Sequence, residues 1–406
     1  MTLLGPIFAA GGAERTEVPL TSSTLLELFG GHSTASGVSV TPEKAVGLPA
    51  VWRAVNLIAG TIASLPLHAY RNVEGARIRA TTGRAAVLLE EPSPGMTPME
   101  FWEVVYAHLL LWGNAYIWKR RNSLGVFTEW FILHPSRVKV GRARITDPKV
   151  FQVDSKVDFV DDDACPIMHI PGFGYDGVCG VSPIRAARQG LGLALAAEEY
   201  GAKLFGSGSL ATGVLQTEQR LTASQADVIQ KRWSEKRAGM NSAHSTIVLD
   251  RGTQFQQLSI PPEDAQFIES RRFQVSEVAR LFGAPPHMLM DITGSTSWGT
   301  GIEQQGIGFV VYTLRPWMTR VEQRVTREIR PQALYARYSV EGLLRGDSAA
   351  RGAFYKTLWG LGVLSTNDIR ALEEMAPVEG GDTRYRPLNF GELGASDATP
   401  TQEAPL

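Results

Sequence analysis

Glycines with the spacing of a nucleotide-binding loop are the first candidates for chemistry in this sequence. The segment Gly172–Gly177 matches the pattern G-x-G-x-x-G and follows a predicted strand at 167–170. In dinucleotide sites such a loop brings backbone amides to the pyrophosphate at the start of a helix. Here Pro171 intervenes and the next predicted helix begins only at Pro183. The spacing therefore favours a turn over a dinucleotide site.

Cysteine, histidine and aspartate side chains form a second set of candidates, for metal binding. Cys165, His169 and Cys179 fit no standard zinc spacing, and a fourth ligand is missing. The tightest acidic cluster is Asp161–Asp163, and such a charge run is typical of a solvated turn. We predict no metal site and no cofactor.

The common motifs of nucleotide-driven motors and hydrolases are missing. The sequence has no Gly-Lys pair, which excludes the phosphate loop G-x-x-x-x-G-K-[ST]. It also lacks H-E-x-x-H and G-x-S-x-G, the motifs of zinc peptidases and serine hydrolases. We therefore predict that the protein is not an enzyme.

Charged residues balance overall but cluster locally. Lys and Arg total 40 against 41 Asp and Glu, which disfavours tight binding to DNA over the whole surface. A basic run consists of Lys119, Arg120, Arg121, Arg137, Lys139, Arg142, Arg144 and Lys149. It is either a nucleic-acid contact or a solvated strand face that pairs with the acidic stretch 154–163, and we favour the second interpretation. A later helix has a basic side formed by Arg315, Arg320, Arg324 and Arg327.

Composition also bears on the compartment. Two cysteines in 406 residues fit a reducing compartment such as the bacterial cytoplasm. The N-terminal segment lacks the basic stretch of a signal peptide. The longest apolar runs, Val104–Trp112 and Leu191–Ala197, are much shorter than the roughly 20 residues that cross a bilayer. We expect a cytosolic protein without a membrane span.

The first third of the chain alternates between helical and strand patterns. Apolar residues at steps of three and four predict a helix over 48–64, which Pro66 ends. Thr97 and Glu100 form a capping box that begins a second helix. Beyond Gly113, β-branched and aromatic runs predict antiparallel strands. This region is therefore α+β.

Two long helices are predicted on either side of a small insert. The first begins at Ser182 and runs to Phe205, and the second spans about 263–282. Between them the sequence predicts a strand at 213–217, a helix capped by Thr222, and a strand at 245–250. The insert is thus expected to project on a two-helix stalk.

The last third contains one more long helix and a small helical unit. The helix spans 301–329, and Pro316 inside it predicts a kink. A strand at 334–340 and helices at 347–360 and 366–375 follow. The Gly- and Ser-rich residues 1–43 and 391–406 are predicted to be a loose arm and a disordered tail.

Several segments, in order along the chain, resemble the portal protein family of long-tailed bacteriophages, prophages and gene transfer agents. They are AVWRAVNLIAGTIASLPL from Ala50, HLLLWGNAYIW from His108, HIPGFGYDGVCGVSPI from His169, FGSGSLATGVLQ from Phe205, ARLFGAPPHML from Ala279, SWGTGIEQQ from Ser297 and LLRGDSAARGAFYKTLWGLGVLSTNDIRALEEM from Leu343. The resemblance covers most of residues 45–390, and it accounts for the glycine motif as a family loop. No single motif is diagnostic, but their order is.

The resemblance implies an α+β portal fold, with a wing, a two-helix stem, a small α/β clip, a long kinked helix and a reduced helical crown. The implied parts are an arm at 1–43, wing at 44–181, stem helix at 182–206, clip at 207–260, stem helix at 261–283, tunnel-loop region at 284–300, kinked wing or tunnel helix at 301–330, wing strand at 331–346, crown at 347–390 and tail at 391–406. The tunnel loop that would face DNA comprises Thr293, Gly294, Ser295, Thr296, Ser297, Trp298 and Gly299. Arg315, Arg320 and Arg324 are possible channel or interface charges.

The resemblance also implies a function and partners. Twelve copies would form a ring at one capsid vertex of the virion, and double-stranded DNA would pass through it during packaging and ejection. The implied partners are the terminase large subunit, the capsid protein and a head-tail adaptor, with assembly in the host cytoplasm. The alternatives are a DNA-processing enzyme of the packaging operon and another structural ring of the head-tail junction.

Overall fold

The computed structural model describes residues 32–123, 127–206, 213–216, 222, 224–225, 227–228, 231, 254–257, 263–291, 300–330, 333–340, 348–373 and 375–385. Contacts between residues divide the chain into two units, Met1–Ser339 and Val340–Leu406.

The described helices of the first unit include two short ones, at 42–46 and 84–90, that no sequence pattern predicted. The described helices are α1 (Pro42–Val46), α2 (Pro49–Ala63), α3 (Arg84–Glu90), α4 (Pro98–Trp112), α5 (Pro183–Ala186), α6 (Arg188–Gly206), α7 (Glu263–Phe282), α8 (Thr300–Gly308) and α9 (Arg315–Ile329), with 3-10 turns at Pro135–Arg137 and Pro286–Leu289. The capping box of Thr97 and Glu100 begins α4, and Gly113 ends it with a φ of 73°. A left-handed residue of this kind closes many helices, and glycine adopts it without strain. The predicted helices at 48–64 and 97 onward are thus confirmed.

Strands of the first unit form small antiparallel sheets. They are β1 (His32–Ser33), β2 (Ser39–Val40), β3 (Leu67–Val73), β4 (Ala76–Arg79), β5 (Asn114–Arg121), β6 (Phe127–Leu133), β7 (Val138–Gly141), β8 (Val150–Val153), β9 (Val157–Val160), β10 (Ile167–Pro171), β11 (Gly213–Gln216), β12 (Gln254–Gln257) and β13 (Tyr335–Tyr338). The described sheets have the orders β1-β2, β10-β5-β6, β13-β3-β4, β7-β8-β9 and β11-β12. The α+β class predicted from the sequence is confirmed.

The core lies where α2 and α4 meet the sheets. On α2 the apolar face buries Val51, Ile58 and Ile62, each fully inaccessible to solvent. A second cluster joins the sheets β10-β5-β6 and β7-β8-β9 through Tyr116, Val138, Phe151, Cys165 and Ile167. Burial of these side chains is the main favourable term that holds the sheets against the helices.

The predicted stalk and insert are described in part. α5 and α6 are separated at Ala187, which leaves helical geometry at φ −95° and ψ 15°. The strand predicted at 213–217 is present as β11, and its partner is β12. The second strand predicted at 245–250 lies outside the described residues, as does most of the insert. The helix predicted over about 263–282 is confirmed as α7.

The predicted arm has structure from His32 onward. Ala35 donates a backbone hydrogen bond of 3.1 Å to Gln189 Oε1 on α6. Gly192 lets Thr34 approach, because a Cβ at this glycine would lie 2.6 Å from the Thr34 methyl carbon. Contacts between distant residues therefore hold 32–43, and composition alone does not reveal them. The remainder of the arm lies outside the described residues.

A π-helical turn, Phe309–Leu314, joins α8 to α9. Pro316 has no N–H, and in a regular helix its ring would clash with the carbonyl of Tyr312. A π turn at this place adds a residue to the turn and rearranges those carbonyls. The helix is thus irregular near Pro316, where the sequence predicts a kink. The bend of the helix axis itself stays a prediction.

The described part of the second unit contains two helices, α10 (Ser348–Gly360) and α11 (Thr366–Leu372). Ser365 and Asp368 form a capping box at the start of α11, which begins where the helix at 366–375 is predicted to begin. The rings of Trp359 and Tyr385 lie 5.7 Å apart and tie the following segment to α10. Residues 386–406, which include the predicted tail, lie outside the described residues.

In the described part of the chain, no helix has both the length and the hydropathy required to cross a bilayer.

Candidate functional site

A group of arginines on α9 is the starting point of the site. Arg320, Arg324 and Arg327 share one face of the helix, because residues three and four apart are neighbours there. Two carboxylates fix the helix in place. Glu322 accepts hydrogen bonds from the Tyr338 amide (2.9 Å) and from the Arg337 guanidinium (2.6 Å).

Glu328, the second carboxylate, joins α9 to the sheet β10-β5-β6. It lies 2.6 Å from the ammonium of Lys119, whose side chain is only 5% exposed. This buried pair orients the arginine face of α9 toward the loops that surround β8 and β10. A buried charge of this kind needs its partner, because an unpaired one is strongly destabilising.

The arginine face lines a cavity of about 390 Å³, which we call the basic cavity. It is lined by Arg142, Lys149, Asp161, His169, Pro171, Arg320, Gln323, Arg324 and Arg327. Five of these described residues are cations and one is a carboxylate. The residues come from two stretches that lie far apart along the chain, 142–171 and 320–327.

Backbone carbonyls hold two of these cations. Lys149 Nζ donates to the Val178 carbonyl at 2.8 Å, and Arg320 donates to the Gly172 carbonyl at 3.2 Å. Arg324 lies 3.7 Å from both Asp161 and Glu328. Carbonyl groups orient a cation but leave its charge unneutralised, so the basic cavity keeps an excess of positive charge.

The electrostatic effect of this excess reaches the neighbouring groups. Burial lowers the pKa of Lys149, and Arg142 and Arg324 lower it further against the opposing effects of Cys179 and Asp161. Burial also lowers the pKa of His169 well below its ordinary value, and Lys149 and Arg324 add to the shift. The imidazole of His169 is therefore neutral at neutral pH.

A loop at 172–180, which we call the glycine loop, borders the basic cavity. Asn114 holds it: Oδ1 accepts from the Gly180 amide at 2.8 Å, and Nδ2 donates to the Gly180 carbonyl at 2.7 Å. Since Oδ1 is the acceptor, His169 donates to it from Nε2, at 2.9 Å. The side chain of Asn114 thus closes the loop onto β10.

The glycines are required by backbone contacts. A Cβ at Gly180 would lie 2.0 Å from the Gly113 carbonyl oxygen, and one at Gly174 would lie 2.0 Å from the Cys179 carbonyl oxygen. Asp176 closes the turn by accepting from the Val178 and Cys179 amides at 2.8 and 3.1 Å, which lowers the pKa of its carboxyl. The motif Gly172–Gly177 is therefore a packed turn, which agrees with the sequence-based preference for a turn.

The three residues considered as zinc ligands lie around Tyr116. His169 stacks on the Tyr116 ring with 4.7 Å between centroids, and Cys165 packs in the same cluster. Cys179 hydrogen-bonds with the Tyr116 hydroxyl, and burial and this contact raise the pKa of Tyr116. Within the described ranges, no group of three or more His, Cys, Asp or Glu side chains is arranged to hold a metal ion.

The basic run of the sequence separates into two parts. Arg137 makes two hydrogen bonds to Asp154, of 2.8 and 2.7 Å, as the paired interpretation predicts. Arg121 donates to the carbonyls of Asp163 and Ala164 at 3.4 and 2.9 Å. Only Arg142 and Lys149 of this run line the basic cavity. Within this run Arg137 pairs with a carboxylate of the acidic stretch, whereas Lys119 and Arg120 pair with Glu328 and Glu129, which lie outside it.

The other site residues predicted from the sequence are distributed as follows. Arg320 and Arg324 lie together in the basic cavity, whereas Arg315 is exposed and is not among its lining residues. Pro316 lines a second cavity of about 300 Å³ with Tyr312 and Trp317. The predicted tunnel-loop residues Thr293, Gly294, Ser295, Thr296, Ser297, Trp298 and Gly299 lie outside the described residues.

Three features of the site are not predicted from the sequence. They are the role of Asn114 in holding the glycine loop, the place of Arg327 in the basic cavity, and the proximity of Arg142 to α9. Asn114 carries a weak signal, since it directly follows the glycine that ends a helix. The meeting of Arg142 with α9 has no signal in the sequence, because it depends on how the sheet β7-β8-β9 packs beside α9.

Comparison with known proteins gives one consistent family. The family described as phage portal protein matches residues 49–374. The portal protein of Enterobacteria phage HK97 is 35% identical over 370 residues, which cover 88% of this chain and 86% of that protein. The probable portal protein of Streptomyces phage phiC31 is 33% identical over 389 residues, which cover 90% and 83%.

Solved structures show the same fold. The neck of an empty gene transfer agent particle contains a chain that matches with a TM-score of 0.60 at 22% identity, covering 92% of this chain and 98% of that one. A portal protein of the HK97 family from Corynebacterium diphtheriae matches with a TM-score of 0.55 at 18% identity, covering 76% and 98%.

Proposed function

The chain belongs to the phage portal protein family, and we propose that it forms the ring at one capsid vertex through which DNA is packaged and ejected. The observation that carries this proposal is the family match over residues 49–374. A relative that is 35% identical over most of both chains supports it. The match favours a portal protein over the two alternatives, a DNA-processing enzyme and another ring of the head-tail junction.

We further propose a ring of twelve subunits within the virion. One of the matching solved structures is a neck computed with C12 symmetry, and another with C6 symmetry. On the same basis, the parts of the chain correspond to a wing at 44–181, stem helices at 182–206 and 261–283, a clip at 207–260 and a crown at 347–390. The small sheet of β11 and β12 between α6 and α7 fits this division.

The ring would act without catalysis of its own. The sequence lacks a phosphate-binding loop, so ATP hydrolysis would belong to the terminase large subunit that docks on the ring. The capsid protein and a head-tail adaptor would be the other partners. Assembly would take place in the host cytoplasm, as the few cysteines suggest.

Ring assembly is the direct test. The purified full chain is examined by negative-stain microscopy and by mass photometry, without any other phage protein. We expect closed rings with a central channel and no ATPase or nuclease turnover. A strictly monomeric species at high concentration contradicts the proposal of a ring, and turnover that survives repeated chromatography contradicts the absence of catalysis.

The predicted tunnel loop is tested by deletion of residues 295–298. If this loop lines the channel, rings still assemble but packaging or retention of DNA is impaired. If Trp298 instead seals the subunit interface, ring assembly itself fails. Normal assembly together with normal packaging contradicts both roles.

A further inference from the structure

We propose that the basic cavity is a binding site for phosphate groups, supplied either by a DNA backbone or by a free polyphosphate. The site lies within one subunit and is formed by α9 and the segments around β7 to β10. It is separate in sequence from the predicted tunnel loop at 293–299. The inference therefore does not depend on that loop or on the formation of a ring.

Charge is the first argument. Five cations and one carboxylate line the cavity in the described part of the chain. The nearby carboxylate of Glu328 is engaged by Lys119 at 2.6 Å, and it reaches Arg324 only at 3.7 Å. Cations held this close repel one another, and a bound anion removes that repulsion.

Unpaired donors are the second argument. Arg142 Nε and Arg324 Nε are buried and have no hydrogen-bond partner among the described residues. A buried donor without an acceptor costs free energy. Both residues line the cavity, and the planar fork of an arginine guanidinium matches the oxygens of a phosphate.

The preference for phosphate over a carboxylate follows from the number of charges and acceptors. A carboxylate brings one negative charge and two oxygens, whereas consecutive phosphates bring several of each. The lining has four positive charges in excess, five cations less one carboxylate. The volume of about 390 Å³ lies in the usual range of small-ligand sites, roughly 300 to 1,000 Å³.

The contacts between the cavity and the glycine loop are also compatible with a bound anion. Carbonyls of the glycine loop orient Lys149 and Arg320 without neutralising them. Burial lowers the pKa of Lys149, because its charge loses contact with water, and an anion in the cavity would offset that cost.

The test compares two matched double variants of the full chain. Arg142→Gln with Arg327→Gln removes two charges from the cavity, one on the 142–149 segment and one on α9. Arg144→Gln with Arg315→Gln removes two charges from the same two regions, at exposed positions that do not line the cavity. Net charge changes equally in both, so non-specific attraction changes equally.

Binding is measured with two probes. Sodium tripolyphosphate is titrated by calorimetry, and a short fluorescein-labelled DNA duplex by anisotropy at fixed salt. We expect the cavity pair to weaken binding by about tenfold or more, and the control pair by less than about twofold, since each charge-assisted hydrogen bond lost costs affinity. If the cavity pair does not fold, the single variant Arg327→Gln, at an exposed side chain, serves in its place.

The two probes distinguish the source of the phosphate. A larger loss for the duplex supports DNA, and a loss for tripolyphosphate alone supports a free polyphosphate. Equal losses in the cavity pair and the control pair overturn the proposal. The proposal is also overturned if the double variant in the cavity leaves the binding of both probes unchanged but changes the assembled mass. The occupant is then an acidic side chain of a second copy. Absent rings with intact phosphate binding contradict only the proposed function.

Discussion

The glycine loop and the basic cavity lie side by side, yet they differ in how far their polar groups have hydrogen-bond partners. In the glycine loop, Asn114 satisfies the amide and the carbonyl of Gly180 and the imidazole of His169. In the basic cavity, Arg142 and Arg324 keep buried Nε atoms without partners among the described residues. The loop is closed upon itself, whereas the cavity has an excess of donors and charge.

The difference separates a scaffold from a binding surface. The carbonyls of Val178 and Gly172 hold Lys149 and Arg320 in place, so the loop positions cations that it does not neutralise. Removing a polar group from the loop should therefore destabilise the protein, because its partners lose their hydrogen bonds. Removing a charge from the cavity should instead relieve repulsion.

The largest effect is expected for Gly180→Ala. The added methyl group would lie 2.0 Å from the Gly113 carbonyl oxygen and 2.6 Å from the Gly172 amide nitrogen, both backbone atoms. The loop must open to admit it, and we expect the free energy of unfolding to fall by about 4 kcal/mol, measured by chemical denaturation.

The matched control for this change is Gly190→Ala on α6. An added methyl group meets nothing within 4 Å there. We expect unfolding free energy to rise by about 0.5 kcal/mol, because alanine favours a helix over glycine. Similar effects at both positions would show that the glycine loop is not closely packed.

A smaller loss is expected for Asn114→Ala. Without the amide, the Gly180 amide and the His169 Nε2 lose a buried acceptor. We expect the free energy of unfolding to fall by about 3 kcal/mol, because unsatisfied buried groups cost about 1 to 3 kcal/mol each. Asn72→Ala, at an exposed position of β3, should change it by less than about 0.5 kcal/mol. Comparable losses would contradict a central role for Asn114.

Acidification is expected to destabilise the fold through its buried histidines. Burial, followed by His134, lowers the pKa of His108 to about 4, and burial lowers that of His169 well below 6.5. The unfolded chain therefore binds more protons than the folded one below pH 6.5. Stability is fully present above that pH and is lost as pH falls toward 4.

For His108 alone the loss is about 2 to 3 kcal/mol. His108→Phe should remove this part of the pH dependence, as measured by thermal unfolding at pH 7 and pH 4.5. Lys149→Met should instead reduce the part that comes from His169, because it removes one of the charges that lower that pKa. If the pH dependence of stability is unchanged in both variants, the two histidines are not its source.

The smallest effect, with the opposite sign, is expected for Arg327→Gln. It removes one of five cations around the cavity, and we expect a gain of about 0.5 kcal/mol in the free energy of unfolding at low salt. The gain should disappear at high salt, where screening already weakens the repulsion. Arg315→Gln, outside the cavity, is the control and should show no gain. A loss of stability for Arg327→Gln would mean that the cavity carries no excess of charge.

Local patterns in the sequence determined the elements and their ends. The capping box at Thr97, the glycine that ends α4 and the bounds of α7 depend on neighbours within a few residues, so they are readable from the sequence. The order of the family motifs along the sequence likewise indicates the family without knowledge of the tertiary structure. Pro316 indicated an irregular turn for the same local reason, since its effect reaches only one turn back.

Tertiary packing alone decided the site. Arg142 and Lys149 belong to a basic run whose members make different contacts, and nothing near them in sequence indicates that they meet Arg320, Arg324 and Arg327. Their meeting depends on the buried pair of Lys119 with Glu328 and on the closure of the glycine loop by Asn114. Both contacts join residues far apart along the chain, and the field of a charge depends on distance in space, which sequence spacing does not give.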